Sequence, residues 1–151
     1  MQRYVAVVGS GSCSPQEALA AEQIGSLLAR ADAVVVCGGL SGVMEAACRG
    51  ARREGGLTVG ILPGSDRSAA NPHVVVAIAT GLGELRNGLV VRAADAVVAV
   101  GGEFGTLSEI GFALKLGRRV IGLATWELSQ KPDSILRASS AEEAVRLALE
   151  G

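Results

Sequence analysis

Three glycine-rich segments stand where an apolar run gives way to a helical pattern. They are Gly9-Ser10-Gly11-Ser12, Gly38-Gly39-Leu40-Ser41-Gly42 and Gly101-Gly102-Glu103-Phe104-Gly105-Thr106. Glycine lets the main chain approach a ligand, and a helix that starts there offers unpaired N–H groups to an anion. Three such turns on one sheet edge suit a phosphate-bearing ligand, with Gly9, Ser10, Gly38, Gly39, Gly42, Gly101, Gly102, Gly105 and Thr106 as candidate contacts. Turns of this kind favour glycine in any such sheet, so the phosphate reading needs support from charged residues. Arg86 follows Thr80-Gly81-Leu82-Gly83 in the first turn of an expected helix, where a cation opposes the helix dipole by about 0.3–1 kcal/mol. A bound phosphate or a nearby carboxylate removes that conflict; a solvated surface arginine is the alternative. Glu109 lies in the first turn after Gly105-Thr106, a place an acid also takes for helix stability alone, and Glu45 has the same explanation. Asp66 and Asn71-Pro72 suit a turn, and the sole histidine, His73, has no evident catalytic partner.

Two familiar nucleotide motifs are absent. Ser14 stands where the dinucleotide fingerprint has its third glycine, and Cys37-Gly38-Gly39 supplies no carboxylate for a ribose hydroxyl. No glycine turn is followed by Lys-Ser or Lys-Thr, which removes a P-loop. Cys13, Cys37 and Cys48 are odd in number and lack zinc-ligand spacing, so no metal site is expected; they read as reduced thiols of a cytoplasmic protein.

The elements that must position these residues follow from the apolar pattern. Strand-length runs fall at Tyr4 to Val8, Ala33 to Cys37, Thr58 to Leu62, Val74 to Ile78, Ala96 to Val100 and Val120 to Leu123. Helical spacing falls at Pro15 to Arg30, Gly42 to Arg53, Gly83 to Ala93 and Thr106 to Gly117. A weak strand at Ser134 to Ala138 and a terminal helix at Ala141 to Leu149 complete the pattern. Ser14-Pro15 with Glu17 is a helix-start signature, and Gly117 is a stop. This alternation predicts an α/β, Rossmann-like three-layer fold: a mainly parallel sheet with helices on both faces. With 151 residues and no linker or repeat, one domain is expected across 1–151.

Composition limits the partners. Hydrophobic residues make up 49% and aromatic residues 3%, so the core is aliphatic, as in buried parallel strands. Lys and Arg number 14 against 15 Asp and Glu, which leaves no field for duplex DNA, and aromatic stacking platforms for single strands are lacking. No run is long enough for a membrane helix, and the apolar run near the start is too short for a signal peptide. No nucleic-acid or membrane partner is expected.

The segments CGGLSGVMEAACRGA (Cys37 to Ala51), NPHVVVAIATGLGELRN (Asn71 to Asn87) and AADAVVAVGGEFGTLSEIGFALKLGRRVIGL (Ala93 to Leu123) resemble the Lonely Guy-like superfamily. Within it they resemble most the branch that includes molybdenum cofactor carrier proteins. Lonely Guy enzymes hydrolyse the N-glycosidic bond of cytokinin riboside 5′-monophosphates, and the resemblance makes Arg86 and Glu109 the candidate catalytic pair. It also implies a homodimer or homotetramer. Helix Gly83 to Ala93 fits that expectation, with Leu89, Val90 and Val91 on more than one face. Asn87 stands in place of the enzymes' lysine, Leu85 of the preceding glutamate, Gly101 of a proline and Glu103 of a glycine. The Arg86-Asn87 pair and the Gly-Gly-x-x-Gly-Thr turn are closer to the carrier-like branch, and Asn87 joins the candidate ligand contacts. A lysine decarboxylase is not expected, because Lys115 and Lys131 lie outside the glycine turns.

Two functions therefore remain open. One is a nucleoside 5′-monophosphate phosphoribohydrolase needing no cofactor, with Glu109 stabilising the oxocarbenium-like transition state or placing water and Arg86 orienting it. The other is a non-catalytic module that holds a nucleotide or a molybdopterin-type ligand. Both expect a phosphorylated small molecule in the same cleft.

Overall fold

The computed structural model describes residues 1–151, and its centre is a sheet of seven strands, all parallel. The strands are β1 (Tyr4–Gly9), β2 (Val34–Cys37), β3 (Thr58–Leu62), β4 (Val76–Ala79), β5 (Ala96–Val100), β6 (Arg119–Leu123) and β7 (Ile135–Arg137). Their order is β4-β3-β2-β1-β5-β6-β7. The helices are α1 (Pro15–Arg30), α2 (Val43–Arg53), α3 (Arg86–Arg92), α4 (Phe104–Lys115) and α5 (Ala141–Leu149).

Residue alternation along each strand divides the core in two. Val5 and Val7 of β1, with Val35 and Val98, face α1, α2 and α5. Ala6 and Val8, with Val34, Val36, Val97 and Ala99, face α3 and α4. Helices cover both faces, so central strands are apolar at every position, the pattern that marked them in the sequence. The Rossmann-like three-layer expectation holds, and no helix is long and apolar enough to cross a membrane.

The chain winds outward from β1 to β4 and then returns to place β5 against the other side of β1, in register from Val5–Ala96 to Gly9–Val100. A crevice opens beyond the carboxyl ends of two such strands, because their following helices lie on opposite faces. Here those ends carry Gly9-Ser10 and Gly101-Gly102.

Several boundaries differ from the sequence pattern for local reasons. The third helix splits into a 3-10 turn at Gly83–Leu85 and a true helix from Arg86, because Gly83 has φ +60° and cannot continue an α-helix. The fourth begins earlier, at Phe104, on an extended Glu103. Strand β4 begins at Val76; before it the Val75 N–H donates to both the Thr58 carbonyl (3.1 Å) and the Thr58 hydroxyl (2.9 Å), which donates in turn to the His73 carbonyl (2.6 Å). The Ser14–Glu17 capping box forms as expected.

Helices α1 and α2 meet through glycine. A methyl on Gly25 would lie 1.9 Å from the Ala47 carbonyl oxygen, and one on Gly50 would lie 1.9 Å from that of Glu22. Both backbones are in contact, so no side chain can be added without parting the helices. Gly25→Ala should cost about 3 kcal/mol by urea denaturation. Gly111→Ala, where a methyl meets nothing within 4 Å, should gain up to about 1 kcal/mol.

Candidate functional site

At the crevice between β1 and β5 lies a cleft of about 230 Å³. Gly9 and Ser10 at the end of β1, Gly38 after β2, Met44 of α2, Arg86 and Asn87 of α3, and Glu103, Gly105, Thr106 and Glu109 at the start of α4 line it. Each group sits at the end of a strand or in the first turns of a helix, so five elements hold the site: β1, β2, α2, α3 and α4.

Arg86 is only 9% exposed. Its Nη2 donates to the Gly38 carbonyl at 3.4 Å, its Nη1 donates to Asn87 Oδ1, and its buried Nε has no partner. A methyl on Gly38 would lie 2.6 Å from Nη2 and 2.8 Å from Met44 Sδ, so the missing side chain gives the guanidinium its place. No carboxylate oxygen lies within 4.0 Å of it. Burial pulls the Arg86 pKa down while the more distant Glu109 pushes it up, and an arginine stays charged regardless.

Glu109 is 7% exposed, and burial pushes its carboxyl up to about 8 against the opposing pull of Arg86. It is therefore largely protonated at neutral pH. The cleft carries a buried, uncompensated cation beside a neutral acid.

The start of α4 adds to this. Helices α1 and α5 are capped by the Ser14 and Ser140 hydroxyls, whereas α4 has no side-chain cap. The N–H groups of Phe104, Gly105 and Thr106 have no partner in the protein and sit at the positive end of a 12-residue helix.

The cleft gathers Gly9, Ser10, Gly38, Arg86, Asn87, Gly105, Thr106 and Glu109 among the sequence candidates. Gly39, Gly42, Gly101 and Gly102 do not line it. All four have positive φ, from +56° to +106°, and each would strike a neighbour if it bore a methyl: Leu62, Ser10, Glu17 and Thr106 respectively. Their glycine identity follows from turn geometry. Sequence reasoning missed Met44; its place two residues after Gly42, at the head of a helix, is the signal that could have found it.

Other polar residues have structural partners. Asn71 donates to the Leu40 carbonyl (2.8 Å) and accepts the His73 N–H (3.0 Å), pinning the long loop onto the β2 turn. Asp66 accepts the Ser68 N–H at 2.9 Å. All three cysteines are free thiols, and Cys37 Sγ lies 3.5 Å from Cys48 Sγ in the buried layer. Lys115 and Lys131 lie outside the cleft. No group of three or more His, Cys, Asp or Glu residues could hold a metal.

A parallel sheet wound both ways from β1, with a cleft at the reversal, makes this a Rossmann-like α/β protein. The chain belongs to the SLOG cluster4 family, whose model matches residues 2–149. It is 43% identical over 119 residues to a protein of Archaeoglobus fulgidus, covering 79% of this chain and 78% of that one. It is similar to the molybdenum cofactor binding protein of Rippkaea orientalis, with TM-score 0.92, 36% identity and coverage of 97% and 95% of the two chains. It is also similar to the Moco carrier protein of Chlamydomonas rheinhardtii, with TM-score 0.87, 28% identity and 99% of each chain covered. These likenesses agree with the superfamily and the carrier-like branch indicated by the motifs.

The buried acid makes a stability prediction. Folded Glu109 keeps its proton to about pH 8, whereas the unfolded carboxyl loses it near the ordinary 4.5. Between those values the folded state binds more protons, so this group makes stability fall with rising pH, by up to about 1.4 kcal/mol per unit. Glu109→Gln should remove that slope. Its melting temperature relative to the unsubstituted protein should climb from pH 5 to pH 8, and a pH-independent difference would contradict the buried neutral acid.

Proposed function

We propose that the cleft binds and holds a phosphorylated small molecule of the nucleotide or molybdopterin type. The observation that carries this reading is Arg86, a buried guanidinium with an unpartnered Nε and no carboxylate within 4.0 Å. A buried charge left uncompensated costs several kcal/mol, and an anion in the cleft relieves it. The uncapped start of α4, whose Gly105 and Thr106 line the same cleft, supports the same anion. The molybdenum cofactor binding and carrier proteins among its structural relatives favour a pterin-type ligand.

In this reading phosphate oxygens accept from the Phe104, Gly105 and Thr106 N–H groups and from Arg86. Asn87 holds the guanidinium in place. Protonated Glu109 donates a hydrogen bond to a carbonyl or ring nitrogen of the ligand. Phosphoribohydrolase action is the second reading, favoured by Arg86 and Glu109 sharing one cleft. It needs Glu109 ionised to stabilise an oxocarbenium-like centre, so its rate must rise with pH to a plateau above about 8.

Calorimetric titration with nucleoside monophosphates and with molybdopterin, alongside mass spectrometry for free base and ribose 5-phosphate, separates the two. Binding without product supports the holding role, and product with that pH profile supports hydrolysis. Arg86→Met should weaken binding about 100-fold, the loss of about one charge-assisted bidentate contact. Unchanged affinity would refute the anion cleft.

A second copy of the chain is proposed as the partner of the α3 face. Leu85 is 78% exposed, with Leu82 and Leu89 also exposed along the same segment and Phe112 beside Gly88. Leu85→Glu should convert the assembly to monomer by light scattering, whereas a monomeric unsubstituted protein would refute the interface.

A further inference from the structure

The ligand cleft does not end at the glycine turn. A second hollow of about 420 Å³ shares Ser10 and Glu103 with it and runs past Gly101 and Trp126. A third, of about 510 Å³, shares Glu17 and Ala124 with the second and continues between the starts of α1 and α5. Together they form a trough along the carboxyl ends of β1, β5 and β6.

The lining of the trough is chemically distinct from the cleft. Its floor is apolar, with Ala20, Val100, Leu123 and Ala141, and no lysine or arginine lines either hollow. Gln16 and Gln23 have side-chain amides with no partner in the protein, and Glu17 and Glu142 add carboxylates. Glu17 Oε1 accepts the Ser14 N–H at 2.9 Å. Its Oε2 occupies the place where a Gly101 methyl would stand, 1.5 Å away, so the carboxylate is seated against the turn. Amides and carboxylates over an aliphatic floor suit an uncharged, hydroxyl-rich group such as a nucleoside.

Glu103 and Glu17 also discriminate between kinds of phosphate. A phosphomonoester carries about −1.5 to −2 charges at neutral pH, whereas a diester carries a single charge. Two carboxylates flanking the turn repel the diester less.

We propose that the trough is a second subsite, and that the ligand is a phosphodiester whose second, uncharged ester substituent lies between α1 and α5. The proposal rests on the phosphate reading of the Arg86 cleft. Three probes separate charge from trough occupancy: AMP, its methyl ester, and the dinucleoside monophosphate ApA. By calorimetry ApA should bind at least tenfold more tightly than the methyl ester, and the methyl ester about threefold more tightly than AMP. Ala20→Trp, which fills the trough, should bring ApA to the level of the methyl ester while leaving the two smaller ligands within twofold. A joint Gln16→Ala and Gln23→Ala variant, altering exposed residues only, should weaken ApA alone about threefold. Glu103→Gln should narrow the difference between AMP and its methyl ester, with Glu17 left to supply the remainder.

Equal affinity for AMP and ApA, or equal losses for all three ligands on filling the trough, would overturn the second subsite and leave the anion cleft standing. Failure of all three to bind the unsubstituted protein would overturn the second subsite, and the anion cleft falls with it only where molybdopterin also fails to bind.

Discussion

The buried guanidinium of Arg86 sets the conditions that the rest of the site meets. An arginine with so little exposure normally has a carboxylate beside it, and here its protein partners are the Gly38 carbonyl and the Asn87 amide oxygen. Neither cancels a full charge. The start of α3 adds to the conflict, since Arg86 is its first residue. Gly38 must lack a side chain, and the chain must turn through Gly81 and Gly83 at positive φ before the helix can begin at that point. These features all hold a cation where the free protein gains nothing from it. Such an arrangement makes sense when the compensating anion arrives from outside.

The glycines divide into two groups with different jobs. Gly9, Gly38 and Gly105 border the cleft, while Gly39, Gly42, Gly101 and Gly102 make the turns that bring its walls together. Gly42 illustrates the second job. A methyl there would stand 2.2 Å from the Ser10 carbonyl, whose oxygen instead accepts the Val43 N–H at 3.1 Å. The β2 turn is thereby tied to the β1 turn, and the start of α2 reaches the cleft. Glycine content thus builds the cleft more than it lines it.

Much of the fold was legible because its signals are local or periodic. Continuous aliphatic strands, the Ser14–Glu17 cap and the glycine turns each follow from short-range rules. Arg86 stood out because it violates one such rule, and Glu109 was harder to isolate because it obeys one. The remaining features depend on distance. Nothing near Met44 in sequence places it in one cleft with Gly105, and the start of the Gly83 helix depends on one φ angle. The neutral state of Glu109 arises from burial by elements that the sequence does not list as neighbours. The trough between α1 and α5 joins residues more than a hundred positions apart in sequence, such as Glu17 and Glu142.

Arg86 and Glu109 also explain why one cleft can suggest both holding and hydrolysis. With Glu109 protonated, it does not offset the Arg86 charge and can donate a hydrogen bond, which suits retention of an anion. With Glu109 ionised, the two charges offset one another and a carboxylate becomes available to a developing cation. An approaching phosphate favours the protonated form, because a second negative charge nearby raises the carboxyl pKa further. Ligand binding and the protonated acid therefore reinforce each other. In the proposed phosphate complex the electrostatics would thus move the cleft away from the state that glycosidic hydrolysis requires, and toward holding.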